Sequence, residues 1–301
     1  MKKPLVSVII LSYNTKKLLA DCLRSVFKSE LNNCRMEVIV VDNGSTDGSV
    51  NEIRKKKYGI RNLEIIENGE NIGFAAGNNR ARKVVRGGYV LFLNPDTLVE
   101  KNTIDESIRF LDENKKVGAM TCKILLPDGS LDKDARRSFP TPWVAVSHLS
   151  HLDRIFKRSR LFSRYWYGYM DEDEIHEVDV LQGAYFLVRM RVLEKVGWFD
   201  EDYFMDGEDV DLSWKIKNAG WEIVYYPRVK ITHVKGAAKG KNKGVKKLSL
   251  KSRIPVVLAG VNSMETFYRK RLWKMYPAFV NVCVITAIKV LKGIRIIRLL
   301  L

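Results

Sequence analysis

Four short apolar runs, at residues 6–11, 36–41, 63–67 and 89–93, recur through the first hundred residues, and polar clusters end them. Between them lie stretches with helical periodicity, at 16–29, 46–57 and 75–86; in the first, Leu18, Leu19, Cys22, Leu23 and Val26 share one side. The run at 36–41 is β-branched and continuous, as expected of a strand covered on both faces. Repeated alternation of strand and helix predicts an α/β fold with a mainly parallel central sheet flanked by helices. In such sheets ligands sit beyond the carboxyl ends of the strands. The residues just after each run are therefore the place to look for function.

With 301 residues, of which 46% are hydrophobic and 29% charged, the chain is long enough and apolar enough for a substantial core. Cys22, Cys34, Cys122 and Cys283 are far apart and form no C-x-x-C pair. That spacing argues against both a zinc site and a disulfide framework, and it suits a reducing compartment. The start, M-K-K-P-L-V-S-V-I-I-L-S-Y-N, reaches polar residues too soon for a signal peptide and reads as a buried first strand.

The polar clusters are Ser12-Tyr13-Asn14, V-V-D-N-G-S-T-D-G at 40–48, E-N-G-E-N-I-G-F-A-A-G-N-N at 67–79 and F-L-N-P-D at 92–96. Each alone is an ordinary turn, since Asn-Gly and Pro-Asp are common turn formers. Four at corresponding strand ends converge on one crevice. A dinucleotide fold wants G-x-G-x-x-G after the first strand, where this chain has no glycine, and the P-loop pattern is also missing. Asp42, an acceptor-only carboxylate at a strand end, suits the imide N–H of a pyrimidine base. Asp96 suits a hard cation bridging diphosphate oxygens.

These pieces, with Q-G-A-Y-F-L-V-R, V-G-W-F-D-E and G-E-D-V-D-L-S-W-K further on, run in order over about residues 4–234. Together they resemble the family 2 inverting glycosyltransferases of the GT-A fold, in the rhamnosyltransferase-like branch. No single motif is specific, but the ordered set is. The resemblance implies a nucleotide-diphosphate sugar as donor and a divalent metal, magnesium or manganese, as cofactor. It assigns Ser12, Tyr13, Asn14, Asp42, Asn71, Gly73, Asn78 and Asn94 to the donor nucleotide site. Asp96 matches the last aspartate of the family's D-x-D, with Asn94 standing at the first position, so metal binding rests mainly on Asp96.

Inversion by direct displacement requires a base to take the acceptor's hydroxyl proton, typically with about a 10²–10⁴-fold benefit. In D-G-E-D-V-D-L-S-W-K a helix is expected to start near Glu208 and end at Gly220. Acids in a first turn also stabilise the helix dipole, so they cannot all be assigned to catalysis. The family's E-D pair falls on Glu208 and Asp209 and makes Asp209 the base. Gly183, Glu208, Asp211, Trp214 and Arg137 are expected around the acceptor pocket. Arg136 and Arg137 are also candidates for an acceptor phosphate, although such a pair is commonly a solvated surface. A lone histidine beside a strand is usually structural; the resemblance makes His233, in I-T-H-V, a neutral ligand of the metal or diphosphate.

The net charge of +17 is not evenly spread. From residue 228 onward there are 18 Lys and Arg and one acid, Glu265, while the remainder balances to zero. The expected division is a catalytic domain at 1–234, in a nucleotide-sugar half (1–126) and an acceptor half (127–234), followed by a basic, apolar, membrane-associating region at 235–301. Within 127–180 turn signals and aromatics indicate a partly irregular insertion, and lysine-rich 235–251 is expected to be mobile. The apolar run at 278–291 would reach only ~21 Å as a helix, short of the ~30 Å hydrocarbon core, so it is expected to lie on an anionic membrane surface. The protein is therefore expected at the cytoplasmic face of the cell membrane, with a lipid-linked or polysaccharide acceptor. Basic tails also bind nucleic acid by the same electrostatics, but no nucleic-acid-binding motif is present and the apolar density exceeds what that partner needs. A catalytically inactive scaffold is the other alternative, and the presence of Asp42, Asp96 and Asp209 argues against it.

Overall fold

The computed structural model describes residues 3–55, 63–235 and 250–300. The chain begins with β1 (Leu5–Ser12), α1 (Lys16–Phe27), β2 (Arg35–Asp42), α2 (Ser49–Lys55), β3 (Leu63–Glu67), α3 (Phe74–Asn79) and β4 (Tyr89–Leu93), all within a residue or a few of expectation. The one notable difference is the third helix, which stops at Asn79 and continues only as a 3₁₀ turn, Arg80–Lys83. Then follow β5 (Thr97–Val99), α4 (Thr103–Glu113), β6 (Val117–Leu125) and β7 (Arg136–Arg137). The expected irregular insertion holds α5 (Pro142–Leu149), α6 (Leu152–Ile155), β8 (His176–Glu177) and β9 (Val180–Leu181). After it come β10 (Tyr185–Arg189), α7 (Met190–Val196), α8 (Glu208–Asn218) and β11 (Glu222–His233).

The main sheet runs β3-β2-β1-β4-β10-β6-β11-β5, with β8 also paired to β11. Strands β3, β2, β1 and β4 are parallel, as alternation predicts. Beyond them β10 is antiparallel to both β4 and β6, and β11 is parallel to β6 but antiparallel to β5. The sheet is thus parallel in its first half and mixed in its second. Val8, Ile9, Ile10, Val40, Leu91 and Phe92 are fully or almost fully buried, because helices cover both faces of the central strands.

Register aligns the carboxyl ends: Ser12 lies opposite Asp42, and Asp42 opposite Glu67. The chain steps outward from β1 to β3 and then returns to the other side of β1 as β4, which creates a switch point beyond these ends. Gly73 closes the second half onto this edge. Its φ is +91°, and a Cβ there would lie 2.6 Å from the carbonyl oxygen of Phe204, whose chain accepts the Phe74 N–H at 2.7 Å.

The C-terminal part departs from a simple appendage. Helices α9 (Leu250–Phe267) and α10 (Ala278–Leu300) pack on each other and on the catalytic domain. Arg271, in the π-helical turn after α9, donates to both oxygens of buried Asp211 at 2.7 and 3.0 Å. Lys270 meets Asp200 and Asp202 at 2.6 and 2.5 Å, and Ser263 Oγ donates to Met205 O at 3.1 Å. Helix α10 is longer than the apolar run that announces it, at 23 residues. Among the described residues no helix is long and apolar enough to cross a membrane. The expected mobile stretch 235–251 lies mostly outside the described residues.

Candidate functional site

A cavity of about 730 Å³ opens beyond the carboxyl ends of β1, β2 and β4. Tyr13, Asn71, Gly73, Asn94 and Asp96 line it from the first third of the chain. Arg137, Gly183, Glu208, Asp209 and His233 line it from the remainder. Ser12, Asn14, Asp42, Asn78, Asp211 and Trp214, also expected at the site, are not in its lining.

Most of that second group hold the framework. Ser12 Oγ bonds Thr15 at 2.8 Å. Asn14 sits at φ +53° and its Oδ1 accepts from Thr46 N at 2.8 Å, tying the turn after β1 to the one after β2. Asn78 is buried and donates to Phe74 O within α3. Asp42 Oδ2 accepts from Ser45 N at 2.8 Å, whereas its Oδ1 is buried without a hydrogen-bond partner, an oxygen available to a ligand donor. Asn43 was not anticipated. Its amide donates to Asn71 Oδ1 at 2.8 Å and to Gly73 O at 3.1 Å, and its Oδ1 accepts from Asn68 at 3.0 Å. One side chain thereby fixes the loops after β2 and β3 against each other.

Asp96 and His233 meet through the sheet. β5 pairs with β11 so that His233 stands opposite Thr97, which sets His233 Nε2 3.3 Å from Asp96 Oδ1. His233 ends β11 instead of following it. Its Nδ1 lies 3.0 Å from Asp132 Oδ2, and Lys235 bridges Asp132 and Asp134 at 2.8 and 2.7 Å. Burial alone disfavours the charged imidazole, but the hydrogen bond to Asp132 and the carboxylate of Asp96 outweigh it and raise the His233 pKa to about 9. Burial opposes the charge of Asp132 too, yet His233 and Lys235 hold that carboxyl well below the usual range. Two flanking carboxylates thus favour the charged form of His233, and a cation held there would compete with that proton.

Asp96 Oδ1 is buried without a well-aligned hydrogen bond. Among the described residues no group of three or more His, Cys, Asp or Glu side chains is arranged to hold a metal ion. One open carboxylate oxygen beside one imidazole fits a hard cation that takes its other ligands from phosphate and water, as Mg²⁺ commonly does.

On the opposite wall, Gly207 takes φ +90° and lets α8 begin at Glu208. Asp209 Oδ2 accepts from Arg137 Nη2 at 2.5 Å. Arg137 comes from β7, which pairs with β9, and it also donates to Leu181 O at 3.2 Å. The arginine pair is therefore not a solvated surface. Arg136 is buried, bonded to Asp171 O at 2.9 Å and placed over the Tyr225 ring. Burial works against the charge on Arg137, but Asp209 outweighs it and pushes its pKa further up. Burial, reinforced by Asp209, holds the Glu208 carboxyl far above the usual carboxylate range, and its Oε2 has no partner. Asp211 is turned away to Arg271, and Trp214 packs edge-on against Phe139 and Phe267.

Gly260, Ser263, Met264 and Phe267 of α9 and Arg295 of α10 complete the wall. No sequence motif marks them. Arg295 Nη1 donates to Val257 O at 3.0 Å, and among the described residues its guanidinium enters no ion pair.

A family model described as Glycosyl transferase family 2 matches residues 7–197. An N-acetylglucosaminyl-diphospho-decaprenol L-rhamnosyltransferase of Mycobacterium tuberculosis (strain ATCC 25618 / H37Rv) is 30% identical over 218 residues, 69% of this chain and 69% of the relative. The putative teichuronic acid biosynthesis glycosyltransferase TuaG of Bacillus subtilis (strain 168) is 32% identical over 133 residues, 44% of this chain and 52% of its own length. Among solved structures, the mannosyltransferase PcManGT from Pyrobaculum calidifontis, in complex with GDP-Man and Mn²⁺, aligns with a TM-score of 0.59 at 20% identity, over 89% of this chain and 65% of its own. S. aureus TarS 1-349 in complex with UDP-GlcNAc aligns with a TM-score of 0.55 at 20% identity, over 87% and 66%. This chain thus spans just under two thirds of either solved chain.

Proposed function

The chain belongs to glycosyltransferase family 2, and from that membership we propose that it is an inverting hexosyltransferase, moving a sugar from a nucleotide-diphosphate donor to a hydroxyl of a lipid-linked or polysaccharide acceptor. The observation that carries this reading is that two carboxylates from distant parts of the chain line one crevice: Asp96 beside His233, and Asp209 held by Arg137. The donor sugar we favour is rhamnose on thymidine diphosphate, following the rhamnosyltransferase relative; a UDP-sugar is the alternative.

In this mechanism the base and ribose rest among Tyr13, Asn71 and Asn94, and Asp42, whose unpartnered Oδ1 is buried outside the cavity lining, accepts from the base once that oxygen is uncovered. Magnesium or manganese would be held by Asp96 and His233 and, when bound, would neutralise charge on the leaving diphosphate. Asp209 takes the acceptor hydroxyl proton. The freed oxygen bonds the anomeric carbon from the face opposite the diphosphate, and the carbon–oxygen bond to phosphate breaks with its electron pair on the phosphate. Arg137 keeps the Asp209 carboxylate aimed, and burial beside Asp209 disfavours a second negative charge on Glu208. A single displacement involves no covalent sugar–enzyme bond.

We place the protein at the cytoplasmic face of the membrane, docked through α10. That helix turns Asn281 and Lys292 inward, onto Tyr268 and Glu265, and leaves Phe279, Val282, Val290 and Ile297 exposed. Exposed apolar side chains interspersed with the exposed cations Lys289 and Arg298 suit a helix lying on an anionic lipid surface. Calorimetric titration with UDP, dTDP and GDP, with and without Mn²⁺, tests the donor reading. Metal-dependent binding of one nucleotide is expected. Failure of all three to bind the folded protein would favour the inactive scaffold.

A further inference from the structure

The insertion between β7 and β8 supplies Pro140, Ala145 and His148 to the crevice wall, and Leu149, which touches that wall but is half exposed, continues onto an outer side that has no part in the chemistry above. That side is apolar. Trp143, Val146, Leu149, Ile155, Phe156 and Leu161 are between 47% and 70% exposed. They form one surface: Trp143 Nε1 donates to Leu161 O at 3.1 Å, and the Phe162 ring lies 5.9 Å from Trp143 and 4.9 Å from Phe156. Val146 and Leu149 follow Trp143 along α5 at three-residue intervals. An exposed apolar cluster of this kind marks an interaction surface.

The charge beside it is of one sign. Arg154, Lys157, Arg158 and Arg160 are exposed, and among the described residues none of them enters an ion pair. The single acid between residues 143 and 170 is Asp153, and it is buried against His148, 2.7 Å away. We propose that this lobe is a membrane-docking surface in its own right, its apolar side chains entering the headgroup layer of an anionic bilayer while the four cations meet lipid phosphates. A second copy of the chain is a poor occupant, since a two-fold contact would set the cations against one another. Single-stranded nucleic acid is a poorer occupant, because Val146, Ile155 and Leu161, which make up half of the patch, offer no stacking plane.

The lobe and α10 belong to two walls of the same crevice, so docking both holds its mouth at the bilayer, where a lipid-linked hydroxyl is displayed. That purpose rests on the acceptor reading above; the docking itself does not, and its test needs no turnover. The probe is the full chain with Ile155→Cys in a Cys283→Ser background, labelled with a polarity-sensitive fluorophore and mixed with phosphatidylglycerol–phosphatidylcholine vesicles at low salt. Emission should brighten and shift to the blue. In parallel, Lys157→Glu with Arg158→Glu should weaken vesicle binding about tenfold or more, at roughly 1 kcal/mol per cation before counting repulsion. Ile155→Asp with Leu161→Asp, at exposed positions, should do the same while circular dichroism and an unchanged melting temperature report an intact fold. Unchanged emission on a chain that cosediments with vesicles would assign binding to the C-terminal helices alone and overturn the proposal. So would a label response to single-stranded RNA but not to vesicles, or a dimer in sedimentation velocity that the double aspartate variant dissolves.

Discussion

At the scale of single residues, the site is a set of carboxylates distinguished by their surroundings. Asp209 is bonded to Arg137, burial disfavours the charge on Glu208, and Asp211 is taken out of the site by Arg271. The sequence shows four acids within six residues and cannot sort them, because sorting depends on partners far along the chain. Replacing Asp209 with Asn should lower kcat by about 10²-fold or more while nucleotide affinity changes little; ordinary turnover in that variant would remove Asp209 from the base role. Arg137→Lys keeps a charge but replaces the planar guanidinium whose single Nη2 donates to both Asp209 and Leu181 O. It should lower kcat more than it alters nucleotide binding, read from steady-state rates beside calorimetry. Asp96→Ala should abolish the Mn²⁺ dependence of nucleotide binding, and binding that stays metal-dependent would count against its assignment.

At the scale of elements, the legible parts are those with a local signature. The four strand-end clusters were readable because each apolar run and its polar end are contiguous in sequence. The start of α8 was readable from its acidic first turn and preceding glycine. What escaped was pairing between remote strands. His233 reaches Asp96 only because β11 runs antiparallel to β5, and no pattern near either residue announces that neighbour. The third helix ended early for a related reason: its side chains are spent on contacts such as Asn79 with Phe199 O, made by the far half of the chain. The pin between Arg271 and Asp211 joins α8 to the C-terminal helices. Arg271→Ala would leave a fully buried carboxylate without its cation and should destabilise the protein by about 3 kcal/mol, measured by urea unfolding.

At the scale of the whole molecule, charge and apolar surface are arranged about one opening. Basic residues dominate from 228 onward, and the insertion adds a second basic, apolar surface on another wall of the crevice. If both surfaces dock, vesicle binding should be steeply salt-dependent but not abolished. Raising salt from 0.1 to 1 M shortens the screening length from ~10 to ~3 Å and removes the ionic part, while the apolar part remains. Cosedimentation across that range measures it, and binding that ignores salt would deny the cations any role.

The sequence by itself determined the alternating α/β half, the convergence of strand ends on a crevice and the family to which those motifs belong. Hydrophobic periodicity and turn chemistry act over a few residues, so a single chain records them directly. Only the tertiary structure decided which carboxylates face the crevice, that His233 stands between two of them, and that α9 and α10 form a wall of the site. These outcomes depend on register between distant strands and on which buried charge finds which partner. Such free energies belong to pairs of residues brought together by folding, and no local stretch of sequence carries them.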